Sequence, residues 1–229
     1  MRILVLGHGK TGKLVAEVAA QRGHSVHVLD AKENKDAAAL TAPFVAGFDV
    51  VIDFTAPEAV VQNMRACLAT GARMVVGTTG WYDRLADMRG LVERRHAALL
   101  YGTNFSIGVQ VMMKLAEQMG ASLAGAGYKF SVAETHHTSK VDAPSGTAIS
   151  IAEMVQRGAG SEIEVPIESI REGDAMGTHV LKAASDAERL VLTHESMTRR
   201  GFAEGAVRAA EWLSTRTGVY DFRDVYTEL

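Results

Sequence analysis

The sequence has little cysteine and no strong excess of charge of either sign. Cys67 is the single cysteine among 229 residues, so no disulfide can form within the chain and a reducing compartment is indicated. It lies in a helix-like stretch, where a small buried hydrophobic residue is expected. The formal net charge is −3, with acidic and basic residues intermixed, which excludes the basic stripe typical of nucleic-acid binding. We therefore expect a small-molecule partner and no nucleic acid.

Long hydrophobic runs are also lacking. The apolar run Arg2–Leu6 ends at a glycine turn and is too short for a signal sequence or a membrane span, so we expect a cytoplasmic protein with no membrane partner. No internal repeat or low-complexity segment is present. A chain with 47% hydrophobic and 22% charged residues instead buries a core, as one large domain or two small ones.

Strands and helices alternate in the first part of the chain. Short apolar strands are predicted at Arg2–Leu6, Ser25–Leu29, Val50–Phe54, Arg73–Val76 and Ala98–Tyr101. Helices are predicted between them, at Lys13–Arg22, from Pro57 to before Gly71, and at Tyr82–Arg95. This alternation predicts an α/β fold with a doubly wound parallel sheet.

Beyond Ser106 the alternation stops, which indicates a second, smaller domain. Helices are predicted at Ile107–Met119, from Ser145 to about Val155, and at Ala203–Ser214. Strands are predicted at Tyr128–Thr135, Val180–Ala184 and Arg189–Thr193.

The turn after the first strand has the spacing of a dinucleotide-binding motif. Its sequence is Gly7-His8-Gly9-Lys10-Thr11-Gly12. Gly7 allows the tight turn, Gly9 lets the backbone approach a pyrophosphate, and Gly12 lets the helix pack on the strand. The N-terminus of the helix then offers N–H groups and a partial positive charge to the phosphates.

Asp30 follows the second strand, where a carboxylate can accept hydrogen bonds from the adenosine ribose. This favours NADH. Lys32 and Lys35 lie close by and can pair with a 2′-phosphate, so the sequence leaves NADPH open as the alternative cofactor.

Two further turns come at the C-terminal ends of predicted strands, where ligands bind in open α/β sheets. Their cofactor-binding candidates are Gly77, Thr78 and Thr79 in the first turn and Gly102, Thr103, Asn104 and Phe105 in the second. We expect both turns to face the nicotinamide half of the cofactor, with Phe105 walling off the ring.

The segment from Glu134 to Thr147 is unusually rich in hydrogen-bond donors. His137 and Lys140 can neutralise a small dianion, while the predicted helix start at Gly146 and Thr147, with Ser145 as N-cap, can bind one carboxylate. Hydride addition to a C=N or C=C bond requires a proton donor, and His136 and Lys140 are the candidates. No metal site is predicted, because adjacent histidines in an extended chain point to opposite faces and the nearby acids lack a zinc spacing.

The same segment reads E-x-H-H-x-x-K-x-D-x-P-S-G-T and resembles the signature of the dihydrodipicolinate reductases, also called 4-hydroxy-tetrahydrodipicolinate reductases. The resemblance extends over the whole chain. It includes the glycine turn, Gly77–Gly80, Asn104–Ser106, Ser169–Arg171, Phe202–Arg208 and Gly218–Val225. One departure is that Asp30-Ala31-Lys32 lacks the arginine that often follows the acid in the family.

The resemblance implies a function and a set of roles. The activity would be NAD(P)H-dependent reduction of 4-hydroxy-tetrahydrodipicolinate to tetrahydrodipicolinate in lysine and diaminopimelate biosynthesis. His136 would donate or accept a proton and Lys140 would donate one. His137, Gly146 and Thr147 would bind the substrate carboxylates.

The resemblance also implies a domain organisation. Residues 1–104 and 203–229 would form a Rossmann domain that the chain leaves and re-enters. Residues 105–202 would form a substrate domain with an open mixed sheet that joins subunits into a homotetramer. Two alternatives stay open from the residues: a reductase of another small imine or carbonyl acid, and a nucleotide-sensing protein without turnover.

Overall fold

The computed structural model describes residues 1–160 and 162–229. The chain folds into two compact units, one formed by Met1–Ser106 with Arg200–Leu229 and the other by Ile107–Arg199. The strands are β1 (Arg2–Leu6), β2 (Ser25–Leu29), β3 (Val50–Asp53), β4 (Arg73–Val76), β5 (Ala98–Tyr101), β6 (Lys129–His136), β7 (Ile167–Arg171), β8 (Thr178–Ala184), β9 (Arg189–Glu195) and β10 (Gly218–Asp221). The α-helices are α1 (Lys10–Gln21), α2 (Ala42–Val45), α3 (Pro57–Leu68), α4 (Leu85–Arg95), α5 (Ile107–Leu123), α6 (Gly146–Ala159), α7 (Arg200–Leu213) and α8 (Phe222–Val225).

The first unit is built on a six-stranded sheet in the order β10-β5-β4-β3-β1-β2, and all its pairs are parallel. Its strands are short and apolar because helices cover both faces. Residues Ile3 to Leu6, for example, are at most 1% exposed. The chain reverses its direction of winding between β1 and β3, and crevices for ligands form at such a switch point. The Rossmann-type sheet predicted from the sequence is confirmed.

Cys67 belongs to the core of this unit. It lies on α3 and is 0% exposed, as the sequence predicts. Burial raises the pKa of its thiol to about 12, so it behaves as a small hydrophobic residue.

The second unit contains a mixed four-stranded sheet in the order β7-β6-β8-β9. β6 pairs parallel with β7 and antiparallel with β8. Helices α5 and α6 pack on one face of this sheet through a separate core, which includes Phe130, Val132 and Leu181. The second, mixed sheet expected from the sequence resemblance is thereby confirmed.

Two strands were not predicted from the sequence. In β7 and β10 the apolar residues are too few and too interrupted to show a strand period, because each is an edge strand with only partly buried residues. β10 is nevertheless the strand that returns the C-terminal part of the chain to the first sheet, beside β5. None of the helices in the described part of the chain combines the length and apolar character that a membrane span needs.

Candidate active site

The glycine turn between β1 and α1 has the shape that a phosphate site requires. Gly7 has φ +99°, and a Cβ there would lie 2.2 Å from the carbonyl oxygen of Phe54, so only glycine fits. Gly9 is the N-cap of α1, and a Cβ on it would meet nothing within 4 Å. The first N–H groups of α1 therefore border open space, and unpaired N–H groups at a helix N-terminus attract anions.

Two cavities adjoin this turn in the first unit. One, of about 360 Å³, is lined by Gly7, His8, Gly9 and Asp30 among the predicted cofactor residues. The other is lined by Gly9, Lys10, Thr11, Gly77, Thr78 and Thr79. Phe54 and Thr55 line both cavities. Together they provide a groove for an extended ligand at the switch point of the sheet.

Asp30 lies in the first of these cavities, at the end of β2. Its Oδ1 accepts hydrogen bonds from the backbone N–H groups of Lys32 and Glu33, at 2.8 and 3.0 Å. The N–H groups of Glu33 and Lys32 lower the pKa of the Asp30 carboxyl, so it is a carboxylate near neutral pH. Its own N–H donates to Glu33 Oε2 at 3.2 Å, which brings a second carboxylate to this end of the groove.

A buried carboxylate holds the loops that follow β3 and β4. Asp53 is 0% exposed and accepts hydrogen bonds from Thr55, Asn63 and Thr78. Burial raises the pKa of Asp53, and the bonds from these residues oppose that rise. Thr55 and Thr78 line the cavities, so the hydrogen bonds to Asp53 hold this part of the cavity lining in position.

The remaining cofactor candidates are placed differently. Gly12 is buried under the turn, where its Cα faces the Gly7 carbonyl and a Cβ would come within 2.1 Å of that oxygen. Phe105 is 2% exposed and packs against Phe222 and Phe54, with ring centroids 4.6 and 6.0 Å apart. Neither cavity described above is lined by the turn that runs from Gly102 through Thr103 and Asn104 to Phe105.

In the second unit, Glu134 lies on the buried face of β6 with its side chain 0% exposed. Its Oε1 accepts three hydrogen bonds: from the Ser145 N–H at 3.0 Å, the Ser169 hydroxyl at 2.9 Å and Arg171 Nη2 at 3.1 Å. Burial alone raises the pKa of Glu134, but the bonds from Ser145, Ser169 and Arg171 outweigh it and lower the pKa to about 2. Glu134 is therefore a permanent buried anion that joins β6, β7 and the start of α6.

Two imidazoles face the second oxygen of this carboxylate. His136 Nε2 lies 3.3 Å and His179 Nε2 3.7 Å from Glu134 Oε2, and the two Nε2 atoms are 3.4 Å apart. Burial lowers the pKa of His136, while Glu134 opposes this. Burial and the neighbouring His136 lower the pKa of His179 to about 4, so His179 is neutral near pH 7. These three residues have donor atoms close enough together to hold a metal ion.

Lys140 lies on the loop between β6 and α6. Its Nζ donates to both carboxylate oxygens of Asp142, at 2.7 and 2.8 Å. Arg171 donates to the backbone carbonyls of Lys140 and Asp142 and so holds this loop. The predicted proton donor is therefore a half-buried cation with a carboxylate of its own loop as counter-ion.

The other predicted substrate residues border the same loop. His137 Nδ1 is 2.8 Å from the Ser139 hydroxyl. Ser145 is the N-cap of α6 and accepts a hydrogen bond from the Ala148 N–H, as predicted. Gly146 and Thr147 form the first turn of α6, and Gly146 is exposed with nothing within 4 Å of a Cβ position.

Sequence reasoning missed four residues of this site: Ser169, Arg171, Gly177 and His179. A signal existed for His179, because it alternates with Leu181 and Ala183 on the buried side of β8. A histidine in an apolar row usually has a polar partner across the sheet. Glu134 is its neighbour in register on β6.

Family models account for nearly the whole chain. One described as Dihydrodipicolinate reductase, N-terminus matches residues 1–105, and one described as Dihydrodipicolinate reductase, C-terminus matches residues 108–226. The chain belongs to the dihydrodipicolinate reductase family. The resemblance found in the sequence is confirmed.

Curated relatives agree with membership of the dihydrodipicolinate reductase family, and a solved structure shares the fold. A 4-hydroxy-tetrahydrodipicolinate reductase of Christiangramia forsetii is 34% identical, over 100% of this chain and 99% of that protein. One of Chromohalobacter salexigens is 39% identical, over 78% of this chain and 73% of that protein. The fold is similar to that of a dipicolinate-bound dihydrodipicolinate reductase from Paenisporosarcina sp. TG-14, with a TM-score of 0.81 and 23% identity over 98% of this chain and 99% of that one.

Gly177 supplies a test of the geometry around His136 in this family member. A Cβ on Gly177 would lie 2.8 Å from Cε1 and 3.1 Å from Nδ1 of the His136 ring, at a backbone φ of +144°. We expect Gly177→Ala to displace the ring and lower the free energy of unfolding by about 1–3 kcal/mol, measured by urea denaturation. In the same variant, we expect the NMR signals of the His136 ring nitrogens to shift.

Gly173 provides a matched control on the same loop. It also has a positive φ, +47°, but nothing lies within 4 Å of its Cβ position. Gly173→Ala should cost only backbone strain and leave the His136 ring signals unchanged. Unchanged His136 signals in Gly177→Ala would contradict the described packing.

Proposed function

We propose that this chain is a cytoplasmic NAD(P)H-dependent reductase that converts 4-hydroxy-tetrahydrodipicolinate to tetrahydrodipicolinate in lysine and diaminopimelate biosynthesis. The observation that carries this proposal is the Glu134 network. It ties the end of β6, which bears His136, to the start of α6, which bears Thr147, with Lys140 on the loop between them. A proton donor and an anion site are thereby built from one stretch of chain.

The groove of the first unit fits a nicotinamide nucleotide. Gly9 leaves the N-terminus of α1 open to a pyrophosphate, and Asp30 keeps Oδ2 for ribose hydroxyls because the backbone bonds all go to Oδ1. When bound, the nucleotide supplies the hydride. Thr78 and Thr79 line the part of the groove beyond the phosphates.

The second unit binds a small dicarboxylate. The N–H groups that open α6, with the Thr147 side chain, suit one carboxylate, since a helix N-terminus favours negative charge. His137 and Lys140 then neutralise the rest of the dianion.

The chain's own residues also supply the proton. Addition of hydride to a C=N or C=C bond leaves an electron pair on the substrate, and that pair takes up a proton. Lys140 Nζ is a cationic donor that carries three protons, and Arg171 holds the loop on which it lies. His136 is the second proton-handling group, with Nε2 3.3 Å from Glu134 Oε2.

The surroundings of Asp30 favour NADH. Asp30 and Glu33 bring two carboxylates to the ribose end of the groove, and both repel a 2′-phosphate. Lys32, beside Asp30, and Lys35, in the same cavity, attract it. Asp36 lines this cavity as well, so the two lysines face three negative charges. We assign the lower affinity to NADPH.

The face of the second sheet turned away from α5 and α6 is suited to a second copy of the chain. On it lie Ile170, 40% exposed, and Val191, 54% exposed. Val191 is the register partner of Lys182 on the same face. Exposed apolar side chains on a continuous sheet face favour burial against an identical face, and we assign the homotetramer contact to it.

Loss of the proton donors tests the function. With freshly generated 4-hydroxy-tetrahydrodipicolinate, we expect wild-type protein to oxidise NADH or NADPH, followed by absorbance. His136→Ala and Lys140→Ala should each lower kcat by about 10²–10⁴-fold, the usual contribution of general acid catalysis. Lys129→Ala, at the exposed start of β6, is the matched control and should keep wild-type turnover. Full turnover by Lys140→Ala would remove it as the donor, and nucleotide binding without oxidation would indicate a sensor.

Neutralising Asp30 tests the cofactor preference. Asp30→Asn removes a charge but keeps a group that accepts from Lys32 and Glu33 N–H. We expect the ratio of kcat/KM for NADPH to that for NADH to rise at least about tenfold, which corresponds to about 1.4 kcal/mol. An unchanged ratio would show that Asp30 does not set the preference.

A charge on the open sheet face tests the assembly. Val191→Arg would place a second cation beside Lys182, so we expect light scattering to show species smaller than the wild-type tetramer. Leu115→Arg on α5, where Leu115 is 44% exposed, should leave the tetramer intact. A tetramer that persists in Val191→Arg would exclude this face as the contact.

A further inference from the structure

Glu134, His136 and His179 place three ligand atoms at the corners of a small triangle. Its sides are 3.3, 3.4 and 3.7 Å. A zinc ion bound at about 2.0–2.2 Å from each donor keeps neighbouring ligand atoms of a tetrahedron about 3.3–3.5 Å apart. The two shorter sides therefore match a zinc tetrahedron, and the third is only slightly wider.

Burial and hydrogen bonds already hold the three side chains of the triangle in position. The side chains of Glu134, His136 and His179 are 0%, 11% and 7% exposed. Oε1 of Glu134 is held by its three donors, so the carboxylate cannot turn and presents Oε2 alone. Rigid, buried ligands lose little entropy when a metal binds.

Two polar atoms of this cluster lack hydrogen bonds within the described part of the chain. They are Oε2 of Glu134 and Nδ1 of His179. A buried polar atom left without a partner is unfavourable, and such atoms call for a water or an ion. Oε2 faces both imidazoles at a corner of the triangle, so it is the unsatisfied atom that calls for an ion there. Nδ1 of His179 belongs to the other side of the ring from Nε2 and adds nothing to this argument.

The donor set selects the ion. Two imidazole nitrogens and one carboxylate oxygen suit zinc, and three protein ligands with a fourth position open are its usual arrangement in non-structural sites. Magnesium prefers oxygen ligands in an octahedron and is not suited. Arg171, which bonds Oε1, reduces the attraction for a cation, so we expect weaker binding than in a closed structural zinc site.

We propose that Glu134, His136 and His179 form a zinc-binding site, and that zinc bound there occupies Nε2 of His136 and inhibits turnover. The binding stands on the geometry of the second unit alone. The inhibition rests on the proposed role of His136 in proton transfer.

Zinc affinity is measured on the full chain, after chelator treatment and removal of the chelator, by competition with a chromophoric zinc indicator. Neither substrate nor nucleotide is present. We expect one zinc ion per chain, and no displacement of zinc by a large excess of magnesium chloride. His179→Gln and Glu134→Gln should each weaken binding at least about tenfold, the minimum effect of disturbing a metal site.

His194→Gln and Cys67→Ser are the controls. His194 is the register partner of His179 on β9 but is not part of the triangle, and Cys67 is the single thiol. Both should bind zinc as the wild type does. Circular dichroism and NADH affinity check that each variant is folded. X-ray absorption at the zinc edge should show nitrogen and oxygen neighbours with imidazole scattering and no sulfur.

Two outcomes would overturn the site. One is no zinc binding by the wild type, and the other is an affinity in His179→Gln and His136→Gln that equals that of the wild type, which would place the ion on other histidines. A zinc-loaded chain that turns over at the full rate would keep the site and remove His136 from the proton step. A chain that binds zinc with the expected variant pattern but oxidises no nucleotide would keep the site and refute the reductase proposal.

Discussion

The second unit depends on the burial of one carboxylate. On β6 the inward positions carry Phe130 and Val132 and then Glu134, so an apolar face ends in a charge. A buried charge that loses its partner costs about 3–5 kcal/mol, and here the partners come from the N-terminus of α6 and from two residues of β7. The requirement to satisfy Glu134 therefore fixes the positions of these elements, and with them the placement of both imidazoles and of the loop that bears Lys140.

The first unit also contains a buried carboxylate that accepts hydrogen bonds from several segments. Asp53 ends β3 and is buried, and its hydrogen bonds come from the residue two positions later, from α3 and from the loop after β4. In both units a carboxylate near the C-terminal end of a strand accepts hydrogen bonds from neighbouring segments. Loops that line a ligand groove are usually mobile, and a buried anion restrains them without filling the groove.

The sequence was sufficient for the parallel sheet, because β1 to β5 are apolar runs bounded by glycine turns and helices. It was sufficient for the helix start at Ser145, where N-cap chemistry is local. It could not reveal β7 and β10, since half-exposed edge strands carry no clear period. It could not bring His179 to His136 either. The two histidines are 43 residues apart in the sequence, and their contact depends on the antiparallel register of β8 with β6. No local sequence pattern encodes that register. For the same reason the spacing argument against a metal considered only the segment around His136 and did not include His179.

The pair formed by Lys140 and Asp142 has a consequence for how an anion enters. Lys140 Nζ already holds a carboxylate in a bidentate arrangement, so a dicarboxylate that reaches it replaces one carboxylate by another. The exchange leaves the number of ion pairs at the lysine unchanged and releases Asp142 to water, where it is already 57% exposed. Selectivity among anions then comes from shape and from the second carboxylate rather than from charge alone. In the proposed binding mode, a monoanion bound at Lys140 does not also reach the start of α6 and so gains no ion pair over the internal partner.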